Sequence, residues 1–191
     1  MKKLILASSS PRRAELLKQI GLDFEIITGN VDETPLPGLH PPKLVEYLAG
    51  KKAAAVAREL QEGLVIAADT VVVWQGQVLG KPRCGDDAFA MLSRLQGSAH
   101  EVFTGVALID ARSGQALVEH EQTRVFFRAV EEEEISRYVA SGEPLDKAGA
   151  YGVQGLAAIF IERLEGCYTN VVGLPLARLS LMLKEFGFNV L

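Results

Sequence analysis

LILASSSPRR, at residues 4–13, joins a short apolar strand directly to the start of a helix. Residues 4–7 are all apolar and are predicted as that strand. Pro11 suits the first position of a helix, because the N–H that proline lacks would have no partner there. Ser10 stands just before it and is the predicted N-cap, since a serine hydroxyl can accept a hydrogen bond from the first turn.

The first turn of this predicted helix carries two positive charges, Arg12 and Arg13. The free N–H groups and the dipole at a helix start attract anions, so cations there are unfavourably placed unless an anion lies beside them. A phosphate would resolve the conflict, because arginine binds phosphate oxygens with a two-pronged fork. The alternative is an ordinary helix start with two solvated arginines. We favour the phosphate site.

Outward from this stretch, predicted helices and strands alternate along the chain. Helices are predicted over residues 11–21, 43–61, 86–95, 131–140 and 175–186. Strands are predicted over residues 24–27, 64–68, 71–74, 77–79, 100–109, 115–128 and 157–164, with an edge strand over 188–191. Loops are predicted over residues 28–42 and 142–155. This order predicts a mixed α/β sheet with a cleft between two lobes.

The composition limits the kind of protein. With 191 residues, the chain can bury a core as one domain or as two closely joined lobes. A formal net charge of −4 argues against a general binder of nucleic acid or membrane surfaces, since both require a basic face. Cys84 and Cys167 lie far apart, which fits a reducing compartment and offers no zinc site. The N-terminal apolar run is too short for a signal peptide, and no stretch approaches a membrane span of about 20 residues. We therefore expect a cytoplasmic protein.

Two acidic residues are candidates for chemistry. Asp69 follows the apolar run 64–68 and is predicted at the end of a buried strand, where a carboxylate is costly unless it meets a cation, hydrogen-bond donors or a metal. The alternative is a turn or cap made with Thr70. Glu33 lies in the loop after another strand and could share a divalent cation with Asp69, or could simply be solvated. Mg²⁺ needs only one or two protein carboxylates when a substrate supplies phosphate oxygens.

Three lysines and one glycine-rich loop complete the candidate set. Of the neighbouring Lys51 and Lys52, one is expected to reach a phosphate and the other to face solvent. Lys81 lies in a stiff Gly-Lys-Pro turn, which is also an ordinary turn sequence. The loop at residues 149–155 has neither a P-loop nor a dinucleotide fingerprint, but its small residues would let a flat base approach the backbone. Gln154 could read a base edge with its paired donor and acceptor, unless the loop is a plain connection.

Taken together, dispersed cations, two acids and one amide suit a metal-assisted reaction on a phosphorylated small molecule. They do not suit Ser-His-Asp chemistry, because the sequence has no GxSxG motif and no histidine within these clusters. An unrelated sugar-phosphate hydrolase remains an alternative, and it would release orthophosphate.

The same motifs, in this order and spacing, resemble the Maf family of nucleoside triphosphate pyrophosphatases over nearly the whole chain. They are residues 6–13, Glu33, Lys52, residues 68–70, residues 80–82 and residues 146–155. The resemblance implies one catalytic domain over residues 1–191, with two closely joined lobes, an elongated central mixed sheet flanked by helices and a deep cleft, similar to inosine triphosphate pyrophosphatases. It also implies a cytoplasmic homodimer that requires a divalent cation such as Mg²⁺ or Mn²⁺.

The resemblance further implies hydrolysis of a nucleoside triphosphate between the α and β phosphates, which yields a monophosphate and pyrophosphate. Asp69 matches the general base, and Glu33 together with Asp69 matches the metal-binding acids. The phosphate-binding positions are matched by Ser8, Arg13, Lys52 and Lys81. The positions that separate subfamilies are matched by Arg12, Thr70 and Gln154, a set that implies dTTP and UTP, or modified pyrimidine nucleotides, as substrates. Maf-like proteins are also linked with arrest of septum formation, so a nucleotide-binding regulator of cell division is the alternative.

Overall fold

The computed structural model describes residues 2–32 and 38–191. In that part of the chain the strands are β1 (Leu4–Leu6), β2 (Glu25–Ile26), β3 (Leu64–Trp74), β4 (Gln77–Leu79), β5 (Ala99–Asp110), β6 (Ala116–Phe127) and β7 (Ile161–Glu165). The α-helices are α1 (Pro11–Gln19), α2 (Pro41–Ala57), α3 (Gly85–Leu95), α4 (Glu132–Ala140), α5 (Tyr168–Val172) and α6 (Leu176–Glu185). Short 3-10 helices cover Glu143–Asp146, Ala148–Ala150 and Leu156–Phe160. No helix in these residues is long and apolar enough to cross a membrane.

The described strands form one seven-stranded sheet in the order β2-β1-β3-β5-β6-β7, with β4 paired to β3. Strand β1 runs parallel to both β2 and β3, whereas β4 and β7 pair antiparallel with β3 and β6. The sheet is therefore mixed, and the predicted mixed α/β class is confirmed. The chain divides into two compact units, of which the first is residues 1–69, 104–121 and 173–191 and the second is residues 70–103 and 122–172.

The first unit packs helix α2 very closely against the sheet. A buried cluster joins small side chains of α2 to β1, β3 and β5: Ile5, Ala7, Ala49, Ala53, Val56, Ala57, Val65, Ala67 and Ala107. At Gly105 of β5 an added Cβ would lie 2.2 Å from the carbonyl oxygen of Val45. Real Cβ atoms do not approach backbone atoms so closely, so glycine is required where the helix crosses the strand.

The second unit has an aromatic core around one buried histidine. The His100 ring packs edge-on against Phe127 and Tyr151, with centroids 5.0 and 5.3 Å away. Its Nε2 lies 2.7 Å from the Tyr151 hydroxyl, and its Nδ1 has no hydrogen-bond partner among residues 2–32 and 38–191. Burial lowers the pKa of His100 from 6.5 to about 4, because the charged imidazolium is poorly solvated there.

Two predictions about the C-terminal third were wrong, and one helix there was missed. The predicted strand over 157–164 begins only at Ile161, because the preceding residues coil into a 3-10 helix. Helix α5 was not predicted. The predicted edge strand over 188–191 is absent: Gly187 adopts φ 78° and the N–H of Phe188 donates to Leu183 O at 3.0 Å. This contact ends helix α6 and turns the chain back onto it.

We predict that acid destabilises this protein partly through His100. The pKa of His100 is lower in the folded chain than in the unfolded chain, so between pH 6.5 and about 4 the unfolded chain takes up the extra proton. Its contribution is retained above pH 6.5 and is lost as pH falls through that window. The loss should reach about 3 kcal/mol of unfolding free energy, measured by urea titration across the window.

The variant His100→Phe has no titratable group at this position, so it should lack this part of the pH slope. The matched control is His40→Phe, because His40 is exposed at the start of α2. It should keep the slope of the parent chain. Identical slopes for the parent and both variants would contradict the assignment.

Candidate active site

Polar residues gather beyond the carboxyl ends of the parallel strands. Leu6 of β1 pairs with Ile66 of β3 on one side and with Ile26 of β2 on the other. Ser8 therefore follows β1 at the same edge at which residues 27–32 follow β2 and β3 continues toward Asp69. Ligands of α/β proteins bind at this edge of the sheet.

The start of helix α1 is fixed by Ser8 rather than by Ser10. Pro11 is the first helical residue, as predicted, and Ser10 stands at the N-cap. Within the described residues, however, the Ser10 side chain makes no capping bond. The hydroxyl oxygen of Ser8 instead accepts the Ser10 N–H at 3.2 Å and an Arg13 guanidinium N–H at 3.2 Å. Arg13 also donates through Nε to the carbonyl oxygen of Gly173 at 2.8 Å, a contact that the sequence did not reveal.

Asp69 lies within strand β3 and not at its end. The predicted strands 64–68 and 71–74 are one strand, Leu64–Trp74, so a turn or cap formed by Asp69 is excluded. Side chains alternate along a strand, which puts Val65, Ala67 and Asp69 on one face. Val65 and Ala67 pack against the alanine-rich side of α2. The Asp69 carboxylate is therefore directed toward that helix.

Lys52 of α2 meets this carboxylate. Its Nζ donates to Asp69 Oδ1 at 2.6 Å, and the two side chains are only 13% and 11% exposed. One helical turn separates Lys52 from the buried residues Ala49 and Val56, so the lysine lies beside the apolar face of the helix. A carboxylate in these surroundings is tolerated because a cation is held against it.

The neighbouring lysine, Lys51, also makes a defined contact. One of the two lysines is expected to face solvent, but Lys51 is half-buried and its Nζ donates to the Asp32 carbonyl oxygen at 2.7 Å. An added Cβ at Gly29 would lie 3.3 Å from Ala55 Cβ, so the same loop also packs closely on α2. Helix α2 thus fixes the segment that leads to Glu33, which itself lies outside the described residues.

The second unit carries the other candidate residues. Gln75 and Gly76, with φ 48° and 78°, form the tight turn predicted between β3 and β4. Lys81 is exposed in the turn that leaves β4, and the N–H of Gly149 donates to the Gly80 carbonyl oxygen at 3.0 Å. This bond ties the Lys81 turn to the glycine-rich loop. Thr70 follows Asp69 in β3 and is half-buried.

The glycines of that loop make room for the protein's own side chains. An added Cβ would lie 2.8 Å from Val72 at Gly149, 2.8 Å from the Lys147 stem at Gly152 and 2.0 Å from the Glu143 carboxylate at Gly155. The predicted role of these glycines, approach of a flat base, therefore does not explain why they are glycine. Gln154 lies between the last two and is exposed.

The predicted site residues thus fall into two groups. Ser8 and Arg13 are bonded to each other, Lys52 and Asp69 are bonded to each other, and Arg12 is half-buried beside Arg13 in the first unit. The residues of the second unit are Thr70, Lys81 and Gln154. The roles of these residues stay predictions.

The described residues could bind a divalent cation that arrives with a substrate, but they do not form a complete metal site of their own. No cluster of three or more His, Cys, Asp or Glu side chains within residues 2–32 and 38–191 could hold a metal ion. Asp69 supplies hard carboxylate oxygens, and Mg²⁺ requires only one or two such groups when phosphate oxygens complete its shell.

A mixed α/β sheet with two arginines at a helix start and a buried lysine–aspartate pair near its parallel-strand edge is typical of α/β proteins that bind phosphorylated small molecules. Comparison with known sequences is more specific. The Maf-like protein family matches residues 3–186, and the chain belongs to this family.

Similar proteins cover the full length. A dTTP/UTP pyrophosphatase from Pelotomaculum thermopropionicum is 64% identical over 191 residues, which is 100% of both chains. A dTTP/UTP pyrophosphatase from Desulforamulus reducens is 53% identical over 190 residues, again 100% of both. The solved structure of a HAM1 protein from Coxiella burnetii matches with a TM-score of 0.54 and 16% identity, over 97% of this chain and 100% of that chain. At this identity the structural likeness shows a shared fold alone.

We predict that removing the charge of Lys52 alone destabilises the folded chain. Lys52→Met keeps the aliphatic stem and removes the charge, so the Asp69 carboxylate stays buried without its cation. The unfolding free energy should fall by about 3 kcal/mol, measured by denaturant titration at neutral pH.

Lys43→Met is the matched control, because Lys43 lies on the same helix with a side chain that is 71% exposed. Its loss should stay below about 0.5 kcal/mol. Combining Lys52→Met with Asp69→Asn removes both charges and should recover part of the stability. A double variant whose losses simply add would contradict the pairing.

Proposed function

We propose that this protein hydrolyses dTTP and UTP to the nucleoside monophosphate and pyrophosphate. The observation that carries the proposal is the Lys52–Asp69 pair, in which Nζ and Oδ1 lie 2.6 Å apart, just past the part of β3 that pairs with β1. A cation and a carboxylate at this edge are the two kinds of group that phosphoryl chemistry requires. The substrate choice follows from full-length similarity to relatives named dTTP/UTP pyrophosphatase.

The cationic residues are proposed to bind the phosphate chain. Arg13 and Ser8 form one connected pair at the start of α1, where helix N–H groups also attract anions. Lys52 and Lys81 supply further positive charge. Charge on the transferred phosphoryl group is spread over its oxygens, so fixed cations lower the barrier by stabilising it.

Asp69 is proposed to take a proton from the attacking water. Its carboxylate is directed toward α2, and Lys52 holds one of its oxygens in place. The water oxygen forms a bond to phosphorus, the phosphoanhydride bond breaks, and pyrophosphate leaves. Asp69 and Glu33 are also proposed to hold a divalent cation, Mg²⁺ or Mn²⁺, which when bound would neutralise phosphate charge.

Gln154, Arg12 and Thr70 are proposed to set the choice of base. Uracil and thymine share an N3–H donor flanked by carbonyl acceptors. The exposed amide of Gln154 carries both a donor and an acceptor and can match that edge. The second ring of a purine places its hydrogen-bonding edge farther from the sugar, so the same amide does not meet that edge when the phosphates are bound, and the purine binds less well. A homodimeric state and a cytoplasmic location also stay predictions.

The reaction is tested by incubating the purified chain with Mg²⁺ or Mn²⁺ and a panel of nucleoside triphosphates and separating the products. We expect monophosphate and pyrophosphate, formed best from dTTP and UTP. Asp69→Asn should lower kcat by at least about 100-fold, because the proton acceptor is lost, while nucleotide binding is largely kept, because the cations proposed to bind the phosphates remain. Asp23→Asn, at an exposed position, is the matched control and should keep full activity.

The other outcomes discriminate the rival functions. Release of orthophosphate instead of pyrophosphate would point to a sugar-phosphate type of hydrolase. Tight nucleotide binding without turnover would favour the regulator of cell division. Full activity of Asp69→Asn would overturn the role of Asp69 without affecting the substrate assignment.

We predict that Gln154→Ala narrows the preference for pyrimidines. The ratio of kcat/KM for dTTP to that for dGTP should fall about tenfold, because a directional hydrogen-bonding pair to the base is lost. Gln77→Ala, another exposed glutamine of the same unit, should leave the ratio unchanged. A wild-type ratio in Gln154→Ala would show that the base is read elsewhere.

A further inference from the structure

We propose that Glu143 is the positioning residue for Gln154 and thereby sets base selectivity without touching the substrate. This inference rests on the proposed function, in which the Gln154 amide reads the base. Glu143 lies outside the motifs that carry the candidate site residues.

The Glu143 carboxylate accepts a hydrogen bond from the backbone just beyond Gln154. Its Oε2 accepts the backbone N–H of Leu156 at 3.0 Å. Its Oε1 accepts the hydroxyl proton of Tyr138 at 3.1 Å. Burial, together with the neighbouring carboxylate of Glu143, raises the pKa of Tyr138, so the hydroxyl stays a donor throughout the ordinary pH range. The carboxylate is thus held from helix α4 and in turn holds the loop.

The same carboxylate occupies the space that Gly155 leaves open. An added Cβ at Gly155 would lie 2.0 Å from Glu143 Oε1 and 2.7 Å from Oε2. Any side chain at Gly155 must therefore displace the carboxylate or move the loop. Glycine at position 155 leaves the space in which the Glu143 carboxylate lies.

Lys147 fixes the other end of the loop. Its Nζ donates to the backbone carbonyl oxygen of Glu143 at 2.6 Å, and its stem passes over Gly152, where an added Cβ would lie 2.8 Å from Cε. Residues 152–155 are thus held at both ends by side chains of one preceding segment. The backbone of Gln154 is fixed while its side chain remains exposed.

This arrangement prepares the amide before any nucleotide binds. A group held in its binding geometry loses little conformational entropy on binding, so recognition is stronger and more selective. Loss of Glu143 keeps the amide side chain of Gln154 but frees its backbone to shift. The expected effect is on the discrimination between bases rather than on the chemical step, because Lys52 and Asp69 belong to the first unit.

The test compares Glu143→Ala, Glu143→Gln and Gly155→Ala for kcat and KM with dTTP, UTP and dGTP. Glu143→Ala should raise KM for dTTP and lower the dTTP-to-dGTP ratio of kcat/KM, each about tenfold, with kcat changed less than about threefold. Glu143→Gln should restore most of the ratio, since its amide can accept from Leu156 N–H and donate to Tyr138. Glu162→Ala, an exposed glutamate of the same unit, is the matched control.

Combining Glu143→Ala with Gly155→Ala tests whether the two residues act through the same contact. Gly155→Ala should mimic Glu143→Ala, because it displaces the carboxylate. In the Glu143→Ala background the same glycine substitution should cost little more, since the space is then empty. Thermal unfolding of each variant checks that it is folded. If Glu143→Ala does not fold, Glu143→Gln and Gly155→Ala still test whether Glu143 positions Gln154.

The outcomes separate this inference from the proposed function. If Gln154→Ala lowers the ratio but Glu143→Ala and Gly155→Ala do not, Glu143 has no positioning role and the function stands. An equal loss of kcat for all three nucleotides would likewise reduce Glu143 to a structural residue. If the parent chain shows no preference between dTTP and dGTP, the reading of the base by Gln154 fails, and the inference fails with it.

Discussion

The close crossing of helix α2 over strand β5 is the constraint on which the first unit depends. At Gly105 no Cβ can be present, because it would lie 2.2 Å from the Val45 carbonyl oxygen and 2.7 Å from the Glu46 nitrogen. Small side chains continue the contact along the helix, so α2 lies near enough for a lysine to reach β3. Lys52 therefore meets Asp69 at 2.6 Å. Packing of neutral atoms thus determines where the charges meet.

The Lys52–Asp69 pair is not an arrangement that maximises the stability of the fold. Two ions lose most of their hydration when their side chains are 13% and 11% exposed, and their mutual attraction does no more than offset that loss. Apolar residues of similar volume at positions 52 and 69 would suit the surrounding alanines and valines at least as well. The pair lies at the edge where α/β proteins bind ligands, and this position supports the proposal that it acts on phosphate.

Local signals in the sequence predicted the parts of the fold that depend on local physics. Pro11 starts α1, and the turn at Gln75 and Gly76 joins β3 to β4, because φ constraints and missing donors act within a few residues. Asp69 was misplaced at a strand end because its polar side chain interrupts an apolar run. Its partner is 17 residues away on another element, which a window along the chain does not include. The alternation of Val65 and Ala67 with Asp69 was the signal that could have placed it within the strand.

The glycine-rich loop shows a different limit of sequence reading. Glycine leaves the space of a side chain open, but the sequence alone does not show whether a ligand or another side chain of the protein fills that space. Here the space at Gly155 is filled by Glu143, and the space at Gly152 by Lys147. Gly149 and Ala150 both adopt left-handed backbone conformations, with φ 67° and 61°, and Ala150 does so while fully buried. A non-glycine residue in that region costs of order 1 kcal/mol and persists only where the surroundings fix it. The loop is therefore a rigid support whose shape is set from within, and an exposed amide on a rigid support is what selective recognition of a base requires.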